Sequence, residues 1–488
     1  MQCVDCSIRI CLQILAAKCG QAGLARRKRA FHVLHSLAFC PDGKGMEGQR
    51  EILRHVFDAA LKAVAPDAAL LRHVRLDGAG RGELVADGRR WNLADRRVRV
   101  LGAGKGVAPM AQALEDMLGE RLDQGFVVVK YDHGLPLKRI CQAEAGHPVP
   151  DEAGVRATGR MLEMARTSTE RDLLICLLTG GASALTPAPA PGLSLADLRQ
   201  TTQLLLDCGA TIHELNAVRK HLSAFSGGQL ARAAGRATVL SVIVSDVVGD
   251  PLDVIASGPT APDASSFDDC REILERFGLE SRLPSAVRDY LRAGLAGRAP
   301  ETPKPGDPLF GRVRNILAAT NRQALDAAAR AAEARGYIPC VLTDRLTGEA
   351  RQKAVELAAE ARRRAEAPGQ GGKGLCLLAG GETTVTIQGR GRGGRNQEMA
   401  LAAALELEGQ PRVCALFAGT DGTDGPTDAA GGFAFSDSVV RMGGREAARA
   451  LLAENNSNAA LALSGDLLIT GPTRTNVMDL AVLLVDRP

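Results

Sequence analysis

The chain reads as an α/β protein with parallel or mixed sheets in two domains, and two observations predict it. First, seven segments share one order: a short apolar, β-branched-rich run, then a turn rich in Gly, Asp or Asn, then a helical stretch. Continuous apolar strands separated by helices are what sheets covered on both faces require. Second, a length of 488 residues exceeds what one domain ordinarily holds.

The strands expected on this pattern are Arg97–Leu101 before GAGKG, Asp172–Leu178 before TGGAS, Val239–Val244 before SDVVGD and Asn315–Ala319 before TNRQ. Ile338–Leu342, Leu375–Leu378 and Val413–Phe417 continue the series. Helices are expected from Glu47 (with Ile52, Val56, Ala59, Ala60 and Ala63 on one face), and over Asp197–Leu206, His213–Ala224, Gln323–Arg335 and Glu349–Ala365. Four prolines in residues 299–311 read as an extended linker. The expected division is therefore an N-terminal α/β domain over 46–298, the linker 299–311 and a C-terminal α/β domain over 312–488. Residues 1–45 hold a basic run, Arg26–Arg29, without the order of a signal peptide. They read as a disordered extension or as sequence upstream of a true start at Met46.

Composition removes several classes of function. Lys and Arg total 60 against 56 acids, a balance too even for a nucleic-acid or anionic-membrane surface. Aromatic residues are only 3%, too few for base-stacking platforms. No apolar run approaches the roughly 18 residues of a membrane span, which predicts a soluble protein. Most cysteines sit singly in apolar runs and predict a reducing, cytoplasmic setting. Cys3 and Cys6 have CxxC spacing, but no second pair follows at zinc spacing.

Five turns carry candidate chemistry. In LGAGKGVAPMA, Gly102 and Gly104 allow a tight turn after a strand, and Lys105 puts a cation where a helix start would meet an anion. The motif is no dinucleotide fingerprint, because the third glycine position is Val107, and no P-loop. A solvated lysine in a structural turn is the plain alternative. In LLTGGASAL, Gly180 and Gly181 precede Ser183, an anion cradle or a simple helix cap. In SDVVGDPLD, Asp246 and Asp250 frame a turn at a strand's carboxyl end, as Mg²⁺ or a general base would need, or as an Asx-turn. The stretch after the hairpin-like strand Thr383–Gln388 sets Arg390, Arg392 and Arg395 among glycines before Asn396, Gln397 and Glu398, a site for phosphate oxygens. Asp421, Asp424 and Asp428 punctuate AGTDGTDGPTDAAGG, which fits a magnesium-phosphate loop better than an EF-hand. The loop ITGPTRTNVMDL adds Thr470, Thr473, Asn476 and Asp479. Glycine-held cations combined with acidic loops are the equipment of phosphoryl transfer.

The ordered set GAGKG, GHPVPDEAG, LLTGGASALTPAP, ATIHELNAVRKHLSAFSGG, SDVVGDPLDVIASGPT, AGGETTV, GRGGRNQEMAL, AGTDGTDGPTDAAGG and TGPTRTNVMDL resembles the glycerate 2-kinase family. The resemblance implies a Rossmann-like N-terminal domain, a C-terminal MOFRL-type domain (about residues 374–486) and an active-site cleft between them. It implies ATP- and Mg²⁺-dependent phosphorylation of D-glycerate at its 2-hydroxyl. By position it makes Lys105, Asp246, Arg395 and Asp421 catalytic, with Lys105 and Arg395 neutralising phosphoryl oxygens and Asp246 handling the hydroxyl proton. Gly102, Gly104, Gly180, Gly181, Ser183, Glu382, Asn396 and Asn476 would contact the nucleotide. Asp421 and Asp424 would hold Mg²⁺, and Asn216, Arg219 and Lys220, on one helix face, would take the glycerate. The family commonly has Gly where this chain has Arg474, and an aromatic or His near Asn458. Two rivals remain at this level: an NAD(P)H-dependent hydroxypyruvate reductase and a non-catalytic binding module. The sequence also leaves a homo-oligomer open.

Overall fold

The computed structural model describes residues 45–77, 82–367 and 372–487. The chain divides into Met1–Gln49 and Arg50–Pro488, and the architecture below is that of the second unit. What is expected of residues 1–44 lies outside the described residues.

The helix expected from Glu47 runs Met46–Ala63 and buries Ile52, Val56 and Ala60. A second helix, Pro66–His73, leads into a small antiparallel sheet that the strand pattern does not predict: β1 (Val74–Asp77), β2 (Glu83–Ala86) and β3 (Arg89–Asn92). Next come β4 (Arg97–Ala103), β5 (Leu122–Lys130), β6 (Ile140–Ala145), β7 (Asp172–Leu178), β8 (Thr238–Val244) and β9 (Val313–Ala319). These pair in the order β6-β5-β4-β7-β8-β9, every pair parallel. Renumbered from β4, that is the 3-2-1-4-5-6 order of doubly wound folds. Strand order reverses between β4 and β7, so the crevice beyond their carboxyl ends is where such a sheet binds its ligand.

The second sheet contains β10 (Ile338–Leu346), β11 (Leu375–Gly381), β12 (Val413–Gly419), β13 (Gly431–Ala434), β14 (Leu467–Leu468) and β15 (Asp479–Val485). Its order is β10-β11-β15-β12-β13-β14, and only β10 and β11 run parallel. All seven residues of β15 are buried, as suits a strand paired on both sides.

The expected division of the chain needs correction. β9 lies beyond the proline-rich stretch yet pairs with β8, so the first sheet ends at Ala319 and residues 312–319 belong with it. Nor is 299–311 a free linker. The Asp263 amide donates to the Pro303 carbonyl over 2.8 Å, Thr302 is buried, and the 3-10 turn Pro308–Arg312 leads into β9. The sheets also share a core: one cluster of buried apolar side chains includes Val98 and Val100 of β4 as well as Leu378, Leu416 and Val482 of the second sheet.

Asn321 fixes the crossing from one sheet to the other. It opens the helix Asn321–Ala334 directly after β9 and donates to the carbonyls of Val477 (2.8 Å) and Asp479 (3.0 Å), where the chain enters β15. Asn321→Ala leaves two buried carbonyls without donors and should cost about 1–3 kcal/mol of unfolding free energy, read as a lower urea midpoint.

Candidate functional site

The switch point is built by glycines and a threonine. Gly104 has φ +138°, and a Cβ there would lie 2.0 Å from Thr179 Oγ1, so only glycine lets the β4 turn cross the end of β7. Thr179 Oγ1 accepts from the Gly106 amide (3.0 Å), and the Lys105 amide donates to the Gly180 carbonyl (2.9 Å). Lys105 therefore leaves a backbone held on both sides. Gly102 and Gly104 are themselves buried, with Gly102 against Val107 and Leu177. Both shape the turn that carries Lys105.

Gly180 and Gly181 gather the polar groups. A Cβ at Gly180 would sit 2.3 Å from Asp246 Oδ2 and 3.1 Å from Asn476 Nδ2; one at Gly181, which has φ +86°, would sit 3.0 Å from the His147 ring and 3.2 Å from Lys105 Cγ. Lys105, His147, Asp246 and Asn476 thus surround two residues without side chains. Ser183 does not cap its helix: Gly181 holds the cap position, and Ser183 shares a 2.8 Å hydrogen bond with Ser257.

Asp246 is deeply set. Burial, then the nearby Glu382 carboxylate, pushes its carboxyl up to about 6, although Lys105 pulls the other way. Burial and the neighbouring Lys105 and Lys130 push His147 down to about 4, so its imidazole is neutral at physiological pH. Sequence reasoning passes over His147, whose only signal is its place in GHPVPDEAG.

The second sheet supplies the facing wall. Arg395 opens the helix Arg395–Leu407 and is gripped by Asp479, Nε to Oδ2 at 2.5 Å and Nη2 to Oδ1 at 3.0 Å. Its Nη1 reaches Glu382 Oε1 at 2.8 Å. Burial alone would lower the guanidinium pKa, but Asp479 and Glu382 raise it overall. Across the sheets, Lys105 Nζ lies 3.3 Å from Asp421 Oδ2.

The other candidate residues of this wall fall in different settings. Asp424 accepts from the amides and side-chain amides of Asn396 (3.1 and 3.3 Å) and Gln397 (2.9 and 3.0 Å). Its oxygens thus hold the helix start, while the residue also lines the cavity. Asn396, expected at the nucleotide, is 1% exposed and its side-chain amide is turned toward Asp424. Thr383–Gln388 forms no strand, because Asn455 Oδ1 takes the Gln388 and Gly389 amides (2.7 and 3.0 Å) that a ladder would need. Arg390 and Arg392 are exposed, and of the three arginines Arg395 alone lines the cavity.

The cavity measures about 1070 Å³ and takes its walls from both sheets, including Ser183, Asp246, Glu382 and Arg395. Lys105 stands beside it at Gly181, with Asp421 at its Nζ, and neither is in its lining. From the helix Ile212–His221, Asn216 and Arg219 line it. Arg219 has no hydrogen bond or ion pair among the described residues, and burial lowers its pKa. Lys220 is a correction: one residue further round the helix, it is buried and held by Asp253 (3.1 Å) and Asp263 (3.3 Å). No cluster of three or more metal-ligating side chains occurs among the described residues.

Two variants check this geometry. Asp246 has a raised folded pKa, so its stabilising effect is complete below the ordinary value of 3.8 and is lost as pH rises through about 6. Asp246→Asn should therefore raise stability by about 1–3 kcal/mol at about pH 8, and by much less at about pH 4.5, in parallel melts. Arg474 adopts φ +61°, which explains why glycine would suit that position. Arg474→Gly should relieve about 1 kcal/mol of backbone strain and raise Tm.

The chain is similar to known proteins over most of its length. Residues 52–292 match the model of a domain of unknown function (DUF4147), and residues 375–479 match that of the MOFRL family. The glycerate 2-kinase of Pyrococcus horikoshii is 39% identical over 89% of this chain and 97% of its own length. The D-glycerate 2-kinase of Thermotoga maritima is 41% identical over 80% of this chain and 91% of its own. A crystal structure of glycerate kinase from Thermotoga maritima superposes with a TM-score of 0.79 at 37% identity, covering 90% of this chain and all (100%) of that one. With a doubly wound sheet, a MOFRL segment and likeness to these enzymes over most of its length, the chain belongs to the glycerate 2-kinase family.

Proposed function

We propose that the protein transfers the γ-phosphoryl group of ATP to the 2-hydroxyl of D-glycerate, giving 2-phospho-D-glycerate and ADP. The observation that carries this reading is the meeting of Lys105, Asp246 and Asp421 with Glu382 and Arg395 around one cavity, two cations and three carboxylates drawn from two sheets. In the transfer the hydroxyl oxygen bonds to the γ-phosphorus, the bond to the β–γ bridging oxygen breaks, and the hydroxyl proton needs an acceptor. Asp246 is suited to accept it, since with a pKa near 6 it is mostly ionised at neutral pH yet still basic enough to take a proton. Lys105 and Arg395 offset the charge on the phosphoryl oxygens. Arg219, a cation with no partner among the described residues, would grip the glycerate carboxylate, with Asn216 beside it. His147, neutral and facing the cavity, offers a hydrogen bond without adding charge.

Mg²⁺ is bound in phosphoryl-transfer sites by one or two carboxylates together with substrate phosphates, so a three-carboxylate cage is not needed. With Asp424 committed to the helix cap, Asp421 and Glu382 are the carboxylates that fit. The ion would supply further neutralisation of phosphate charge.

A nicotinamide-dependent reductase would use the same switch point differently. There the glycine turn admits a pyrophosphate, whereas here the space beside Gly104 is filled by Thr179 Oγ1.

Incubation with ATP, Mg²⁺ and D-glycerate should give 2-phosphoglycerate by phosphorus NMR. NADH oxidation by hydroxypyruvate without ATP would instead favour the reductase. Lys105→Ala and Arg395→Ala should each lower kcat by about 10²–10³-fold, and wild-type turnover would remove the residue from the reaction. In wild type, kcat/KM should fall as pH drops through about 6, where Asp246 protonates.

A further inference from the structure

A second chamber of about 440 Å³ adjoins the main cavity and shares Ser183, Ser257 and Arg219 with it. It lies against the helices Leu195–Asp207 and Ile212–His221, and its walls are largely apolar: Pro187, Leu198, Leu215 and Leu222 among them. The main cavity, at about 1070 Å³, already matches the largest ordinary ligand sites, so a nucleotide and a three-carbon acid do not need this extra space. Two polar groups in the chamber lack partners among the described residues. Arg219 is one. The other is Thr201, a lining residue only 2% exposed, whose buried Oγ1 makes no hydrogen bond. A buried hydroxyl without a partner is costly, and a half-buried guanidinium without one, at the mouth of a largely apolar chamber, is free to meet a ligand.

We propose that this chamber binds monocarboxylic acids with an apolar body, the carboxylate on Arg219 and the hydrocarbon between the two helices. Such acids compete with glycerate for one guanidinium, so they inhibit the kinase competitively. The inference rests on the reading of Arg219 as the glycerate carboxylate grip. It implies a site in which small hydroxy acids are substrates and longer apolar acids are blockers.

The test is steady-state inhibition of the full-length enzyme by a straight-chain series from acetate to octanoate, with D-glycerate varied. Inhibition should be competitive, and each added methylene should lower the inhibition constant about threefold until the chamber is full. Thr202→Trp, on the half-exposed side of the lining, should abolish the dependence on chain length while glycerate KM stays within about twofold. Leu206→Trp, at a 53% exposed lining position, gives the same readout should the first variant fold poorly. Inhibition that does not vary with chain length, or a full length dependence surviving in both tryptophan variants, overturns the proposal. Arg219→Gln separates the two readings. A large rise in glycerate KM supports the carboxylate grip, whatever octanoate does. Unchanged glycerate KM with octanoate inhibition lost refutes the shared grip and therefore competition by this route.

Discussion

Carboxylates buried side by side repel one another, and the structure turns on how that repulsion is held in check. Asp479 is buried, Asp246 and Glu382 are half-buried, and Asp421 is about a fifth exposed. Lys105 from the first sheet and Arg395 from the second are the cations set among them. Neither cation balances the cluster alone. Asp246 and Glu382 both remain above their ordinary pKa, burial outweighing the attraction of Lys105 and Arg395. That residual imbalance is useful to a kinase, since it leaves a carboxylate basic enough to take a proton and a field that welcomes further positive charge.

The rest of the fold serves to keep these groups close. The parallel order of the first sheet places its switch point between β4 and β7, and the missing side chains of Gly104, Gly180 and Gly181 let Thr179, Asp246 and Lys105 approach to contact distance. In the second sheet Asp479 opens β15 and clamps Arg395 from the neighbouring helix start. Asn321 then links the end of β9 to the entry of β15, so the two arrays are set by one buried side chain as well as by a shared core. Asp424, which looks in sequence like another member of the acid cluster, spends its oxygens on orienting the helix that carries Arg395.

What is legible in the sequence follows physical signals of short range. The apolar runs at 172–178 and 413–417 are strands because nothing else buries such segments, and the glycine turns after them are at the site because strand ends are where ligands bind. Long-range pairing is not legible. The prolines before β9 suggest the wrong sheet for it, since no local pattern tells a strand which neighbour it will pair with. β15 escapes the strand pattern because no turn and helix follow it. Side-chain direction is equally hidden: Arg219 and Lys220 are adjacent in sequence, yet one faces the cavity and the other is locked beneath it by Asp253 and Asp263. Likewise Arg390, Arg392 and Arg395 look equivalent until the Asn455 contacts fix the path of the loop.

If Lys105 and Arg395 act on the same phosphoryl group from opposite walls, their effects on kcat/KM should not multiply. The most direct test is a double-mutant cycle with Lys105→Met, Arg395→Met and both together, at saturating Mg²⁺. The account predicts that the double variant loses at least about tenfold less than the product of the two single losses. Losses that multiply to within about twofold would mean that the two cations serve separate events, and the picture of one shared electrostatic site would be wrong.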